Sequence, residues 1–335
     1  MTLHALLDAN LQLDAEYDGG LANHLPMALV ALQALGASDA RLQAFAATYR
    51  RKLVSAPTAA DWPAGEAWGS RLGVAGAWSA YRSLFAQWLT RDGHDAVLRQ
   101  ALPALMSGCG GAAFHGLIRT ACAMRSGHDG ELADGLAYWA CCHLQLHAGA
   151  GEDEGDTDDP GMVLQALRHA LDGWRANQRL IVQRMQAAAL QAAFAPQTRR
   201  LRIGADSLGA LARLATRLYA QGGNFTVLHL VTSCHALRLL LPYLDEPLPA
   251  LRSFWAAYAA GAASLPDSAW ALVPQPLPQP QPQPTAVVDW PQIAAKAIAA
   301  DDEHVIKLVY SAREEHRHYG WEDCRQAAVR AVTSD

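Results

Sequence analysis

Four stretches of this chain can be laid on one another with a histidine in register. They are residues 23–32 (NHLPMALVAL), 114–123 (FHGLIRTACA), 228–237 (LHLVTSCHAL) and 303–312 (EHVIKLVYSA). Each carries a histidine near its start and continues as an apolar run of helical character, followed by a loop and a second amphipathic stretch. Apolar positions spaced three and four apart form one continuous stripe only on an α-helix, so such a chain is confined to helical hairpins. A residue at the same point of each hairpin can be brought by all four to one place. Imidazole is the commonest protein ligand for catalytic transition metals. His24, His115, His229 and His304 therefore read first as ligands of a buried metal centre.

The remaining sequence agrees with helices. Ala, Leu, Arg and Gln dominate, and β-branched runs are short. Helices are predicted from His24 to Leu35, stopped by Gly36, and from a Ser38-Asp39 cap to about residue 54. Residues 55–70, with Pro57, Pro63 and Gly65, read as a loop. The next helix is predicted over 75–90, with Trp78, Tyr81, Phe85 and Trp88 on one face, then a hairpin of 110–125 and 131–148. Further helices are predicted near 161–176, 178–194, 206–220, 225–241 and 249–262. Residues 274–284 read PQPLPQPQPQP, an extended polyproline II spacer. Two helices over 291–300 and 301–316 and a short one from Trp321 follow it. The expected architecture is all-α, an array of helical hairpins forming one large bundle-like or solenoid-like body. Its main body covers 1–273, the linker 274–284, and the C-terminal helices of 285–335 dock back onto the body.

A hydrophobic fraction of 51% supplies a large core. The net charge of −5 gives nucleic acid no electrostatic attraction. No run of about 20 uncharged apolar residues occurs, so no membrane span is expected. Early acids (Asp8, Asp14, Glu16) do not suit a secretory leader, and a cytoplasmic protein acting on a small molecule is expected. The six cysteines lack any CxxC pair and read as reduced core thiols. The acids of 152–159 read as a solvated loop.

Three further residues could do chemistry. The chain has 27 basic residues but only three lysines, Lys52, Lys296 and Lys307. In a chain that otherwise uses arginine, a lysine inside an apolar helix points to work a guanidinium cannot do. Lys307 lies three residues after His304, on the same helix face. A desolvated lysine loses its proton readily, and the neutral amine either serves as a base or combines with carbon dioxide to give a carbamate, an oxygen ligand. His235, six residues after His229, is not on the same face and reads as an acid/base or supporting group. Arg119, four residues after His115, could pair with an anionic or phenolic substrate group or form a structural ion pair.

These segments, with 131–139 (ELADGLAYW), resemble the questin oxidase-like family, and the matching blocks run from about residue 20 to 312. Family members are associated with oxidative opening of anthraquinone-type polyketide rings. They have been described as Baeyer–Villiger-like oxygenases and as non-haem iron dioxygenases with a histidine-rich site that includes a carboxylated lysine. Carried over residue by residue, the resemblance implies His24, His115, His229, His304 and Lys307 as the iron shell, with His229 chosen over His235 by register. The expected protein is thus an iron-dependent oxygenase of an aromatic, polyketide- or quinone-like substrate. Fe(II), dioxygen and, for a lysine carbamate, carbon dioxide are its expected cofactors. Iron is preferred to zinc because five or six imidazole and oxygen donors suit it, whereas zinc usually takes four. His235 would move protons. Without a dinucleotide fingerprint, no tightly bound flavin or NADPH is expected, although an external reductant is compatible with the sequence. The rivals are an NADPH-dependent Baeyer–Villiger-type monooxygenase and a non-catalytic helical-repeat scaffold whose histidines are core residues.

Overall fold

The computed structural model describes residues 3–146, 155–270 and 289–333. The proline-rich stretch 274–284, residues 285–288 and the acids at 152–154 lie outside the described residues. Sixteen α-helices and one small β-hairpin are described, as the all-α reading expects. The helices are α1 (Leu3–Asn10), α2 (Leu25–Leu35), α3 (Asp39–Tyr49), α4 (Trp78–Met106), α5 (His115–Ser126), α6 (Asp129–Cys141), α7 (Pro160–Ala170) and α8 (Ile181–Ala189). There follow α9 (Phe194–Thr198), α10 (Ser207–Gly222), α11 (Phe225–Leu240), α12 (Pro247–Ala263), α13 (Asp267–Trp270), α14 (Trp290–Ala299), α15 (Glu303–Tyr319) and α16 (Glu322–Ala331). The chain divides into two compact units, Met1–Leu146 with Ala236–Ala257, and His147–His235 with Tyr258–Asp335.

In the first unit α6 is the centre. Helices α4 and α5 both pack on it, α2 packs on α5, and α1 and α3 pack on α2. Every residue of α6 from Glu131 to Cys141 is buried. Two glycines set how closely α5 and α6 approach. A Cβ on Gly116 of α5 would come 2.6 Å from Trp139 Cα of α6, and one on Gly135 of α6 would lie 3.1 Å from Thr120 Cα of α5. The helix that begins with His115 is therefore seated directly against a buried neighbour.

The sequence reading ends a helix at Thr90, whereas α4 continues to Met106. Gly93 does break the helical backbone (φ 79°, ψ 172°), but the chain resumes the helix beyond it. Val97, Leu98, Ala101, Leu102 and Leu105 are all fully buried there. Their apolar stripe outweighs the two breakers, Gly93 and Pro103. The helix predicted over 178–194 is instead the pair α8 and α9, and the one predicted to residue 148 ends at Cys141. An unanticipated hairpin pairs β1 (Glu16–Tyr17) with β2 (Leu21–Ala22). Its strands are too short to show a two-residue alternation, and its turn is made by left-handed Asp18 and Gly19. Ser38 caps α3 as predicted, its hydroxyl accepting from the Arg41 N–H.

In the second unit α10 and α15 both pack on α16, α14 packs on α15, and α7 packs on α9 and α10. Leu211, Ala215 and Leu218 of α10, Ile306 and Val309 of α15, and Ala327 and Ala328 of α16 are buried. Each leucine or isoleucine so buried contributes about 1.5–3 kcal/mol. Arg217 Nε donates to Asp323 on α16 at 2.8 Å. The helices after the proline-rich stretch thus share a core with α10, which precedes it. The stretch Phe225–Tyr243 is long and apolar enough to cross a membrane (mean hydropathy 1.3), but 72% of that window is buried inside the protein, as in a core helix. All six cysteines are free. Burial pushes the thiols of Cys109, Cys141 and Cys324 up to about 12, which keeps them protonated and inert.

Gly116→Ala should destabilise the protein by about 1–3 kcal/mol, the usual cost of forcing an extra group into a packed contact. Gly69→Ala, where a Cβ meets nothing within 4 Å, should change stability by less than about 0.5 kcal/mol. Urea denaturation of the two variants checks this, and equal midpoints would show that α5 and α6 can separate freely.

Candidate metal centre

The four register histidines fall into two pairs, one in each unit. In the first unit His24 is the residue preceding α2 and is buried. Asn23 holds that entry. Its side-chain oxygen accepts from Leu25 N–H at 3.0 Å, while its amide donates to Asn10 Oδ1 and the Asp14 carbonyl. The His24 N–H donates to the Tyr49 hydroxyl at 3.3 Å. Pro26 occupies the first turn of α2, where no N–H is required.

His115 opens α5 after three consecutive residues in the left-handed region, Ala112 (φ 46°), Ala113 (φ 53°) and Phe114 (φ 70°). Left-handed backbone costs a non-glycine residue about 1–2 kcal/mol. Packing sustains it. The buried Phe114 ring lies 5.8 Å from that of Phe254, and Gly111 leaves no room for a Cβ beside the Cys142 carbonyl. The turn brings the Ala112 carbonyl back to accept a hydrogen bond from His115 Nδ1. With its proton on Nδ1, His115 presents a lone pair at Nε2, and that atom lies 2.7 Å from His24 Nε2. A proton on His24 Nε2 satisfies this contact. The ring planes differ by 23° and their centroids are 4.6 Å apart, so the rings meet at their Nε2 corners.

In the second unit the pair is His229 with His304, ring centroids 6.0 Å apart. Asn224 starts α11, its side chain accepting from the N–H groups of Thr226 and Val227. His229, buried one turn on, donates Nδ1–H to the Phe225 carbonyl at 2.8 Å. His304 lies in the first turn of α15. Asp302 caps that helix by accepting from the His304 N–H at 2.8 Å and also accepts from His304 Nδ1 at 3.0 Å. Burial holds the His304 pKa below the usual imidazole value, against the pull of the Asp302 hydrogen bond, and the charge of Lys307 adds to the depression. Both effects favour the neutral imidazole. Lys307 is buried, one turn along α15, among buried Ile306, Leu308 and Val309.

His235 meets Glu315. Its Nδ1 is 2.7 Å from Glu315 Oε1, with both side chains buried, and the Tyr310 ring stands edge-on at 5.3 Å. Arg119 points into the first unit's own core. Its Nε donates to Glu131 Oε1 at 2.7 Å, and one terminal nitrogen donates to Glu131 Oε2 at 3.0 Å and Asp134 Oδ2 at 2.6 Å. Arg82 stands 3.4 Å from the other Asp134 oxygen. Burial would pull the Arg119 pKa down; Asp134 and Glu131 more than reverse this and keep it charged. Of the two roles open to Arg119 from sequence, the structure shows the ion pair, which ties α5 to α6. Of the 152–159 acids, Asp156 pairs with Arg200, Asp158 with Arg202, and Asp159 caps α7.

Sequence reasoning missed Asp302, Glu315, Asn23 and the carbonyls of Ala112 and Phe225. An Asp two residues before a helical histidine is a visible cap signal for Asp302. Glu315, 80 residues from His235, leaves no such trace.

The family model for questin oxidase-like proteins matches residues 21–312. The chain belongs to the questin oxidase-like family. All four register histidines, His235 and Lys307 lie within the matched span. Membership of the questin oxidase-like family implies an oxidoreductase, an oxygenase acting on an aromatic substrate. No curated protein matches the chain.

Because the His304 pKa is lowered on folding, the unfolded chain takes up that proton first as pH falls. The stability His304 contributes is full above the unfolded value of about 6.5 and is lost below it, toward the depressed folded value. Metal-free protein should therefore melt at a lower temperature at pH 5 than at pH 7.5, and His304→Gln should reduce that difference. An unchanged difference in the variant would show that His304 titrates alike in both states.

Proposed function

We propose that this oxygenase is non-haem iron-dependent and that His24, His115, His229, His304 and Lys307 would hold the ion. The observation that carries this reading is the fate of Nδ1. His115, His229 and His304 each place Nδ1–H on an oxygen acceptor, which leaves Nε2 as the lone-pair nitrogen. That is the arrangement metal-ligating histidines use to fix tautomer and ring direction. A shell of four imidazoles with one further nitrogen or oxygen donor fits iron better than zinc. The reading makes the C-terminal helices part of the working enzyme, since they carry His304, Lys307 and Glu315.

Ferrous iron, when bound, supplies the electrons that let dioxygen react with an electron-rich ring. The protein's own residues do the rest. Lys307, buried in α15, would act through its nitrogen, either as a neutral amine or, after adding carbon dioxide and releasing a proton, as a carbamate oxygen donor. His235 keeps Nδ1–H on Glu315, which leaves the Nε2 lone pair to accept a proton from a reacting group and return it. Asp302 orients His304 and starts the helix that carries Lys307.

Anaerobic loading with Fe(II) followed by elemental analysis should give one iron per chain. His24→Ala, His115→Ala, His229→Ala and His304→Ala should each retain only a small fraction of it. Lys307→Arg keeps the charge but cannot form a lysine carbamate and resists deprotonation, so it should lose nearly as much turnover as Lys307→Ala. Turnover of an anthraquinone should need iron and dioxygen without NADPH. A protein that stays free of iron, or a Lys307→Arg variant with wild-type iron and turnover, would overturn this assignment. Product formation coupled to NADPH consumption would favour the Baeyer–Villiger-type reaction.

A further inference from the structure

Phe225 is 51% exposed although it begins a helix whose next residues are buried, Thr226 at 4%, Val227 at 1%, Leu228 at 3% and His229 at 2%. Its ring is not a stray surface group. Its centroid lies 4.9 Å from that of His229, with the planes 71° apart, and 4.7 Å from that of His304, with the planes 65° apart. One edge of the Phe225 environment is thus made of the two histidines, and about half of the residue faces solvent. The backbone of the same residue does a separate task, since its carbonyl accepts from His229 Nδ1. Asn224 holds the N–H groups that follow. The side chain is consequently free to vary without releasing the carbonyl that orients His229.

A bare phenyl ring kept half in water loses part of the burial free energy it would gain inside a core. Aromatic rings prefer offset-stacked or edge-on partners, and the histidines occupy only part of that periphery. We infer that Phe225 is the platform on which the aromatic ring of the substrate stacks beside His229 and His304, making it a specificity-determining residue. The inference rests on the aromatic-substrate reading above and names the residue that would recognise such a ring. A planar fused-ring quinone is the class of ligand it fits, because a broad flat face can cover the exposed phenyl while its edge approaches the imidazoles.

The test uses the full-length protein, loaded anaerobically with Fe(II), and 1,8-dihydroxyanthraquinone as the probe, its binding followed by absorbance titration. Phe225→Leu keeps apolar bulk and removes the ring. It should weaken probe binding about two- to tenfold, the range expected for one aromatic pair, with iron content and melting temperature unchanged. Phe225→Tyr and Phe225→Trp should restore affinity. In turnover the Leu variant should raise KM with little change in kcat. Wild-type affinity in Phe225→Leu, or lost iron in that variant with unaltered probe binding, would overturn the platform and leave Phe225 as packing around the histidines. Failure of the iron assignment is separable: a protein that takes up no iron but still binds the probe through Phe225 refutes the metal shell and keeps the platform.

Discussion

A hydrogen bond from Nδ1 of an imidazole to a fixed oxygen is the interaction on which the site depends. Left alone, a neutral histidine divides its proton between two nitrogens and turns about two torsions. Tying Nδ1–H to the Ala112 carbonyl, the Phe225 carbonyl or the Asp302 carboxylate chooses the tautomer and the ring direction together. Two of these three oxygens are backbone, three and four residues before the histidine, so the local chain path builds the acceptor. The third is the carboxylate that also starts α15. The tautomer is thereby written into how each helix begins.

The remainder of the first unit can be understood as support for one such beginning. Three left-handed residues before His115 are unfavourable in isolation, and they persist because Gly111, Phe114 and the seat of α5 on α6 leave the backbone no other course. Arg119, four residues on, is clamped by Glu131 and Asp134. A buried guanidinium with two carboxylates is weak evidence for net stability, but removing one partner strands a charge in the core, at a cost of about 3–5 kcal/mol. The network therefore fixes how α5 is rotated on α6 more than it adds stability.

In the second unit the same logic runs along α15. His304, Lys307 and Glu315 sit on one helix, and Glu315 meets His235 from α11. His304 is placed against Asp302 and Glu315 against His235, while the neighbouring Ile306, Leu308 and Val309 are fully buried. Burial depresses the His304 pKa and favours the neutral ring, and neutrality is what a nitrogen ligand needs.

The sequence by itself determined the helical class, the Ser38 cap and the family, because each is carried by local spacing or by residue identity. It also marked His24, His115, His229 and His304 by their repeated register, and the structure joins them as two pairs. It could not decide that α4 runs past Gly93, because the burial of Val97, Leu98, Ala101, Leu102 and Leu105 that rescues the helix is a product of tertiary packing. Nor could it show that Arg119 belongs to Glu131 and Asp134, that His235 belongs to Glu315, or that the Phe225 ring lies beside both His229 and His304. Those pairings depend on which helix faces meet, and side chains 80 residues apart share no local pattern. Tertiary structure alone decided them, because burial without a partner is costly for a charged group and packing determines which partner is within reach.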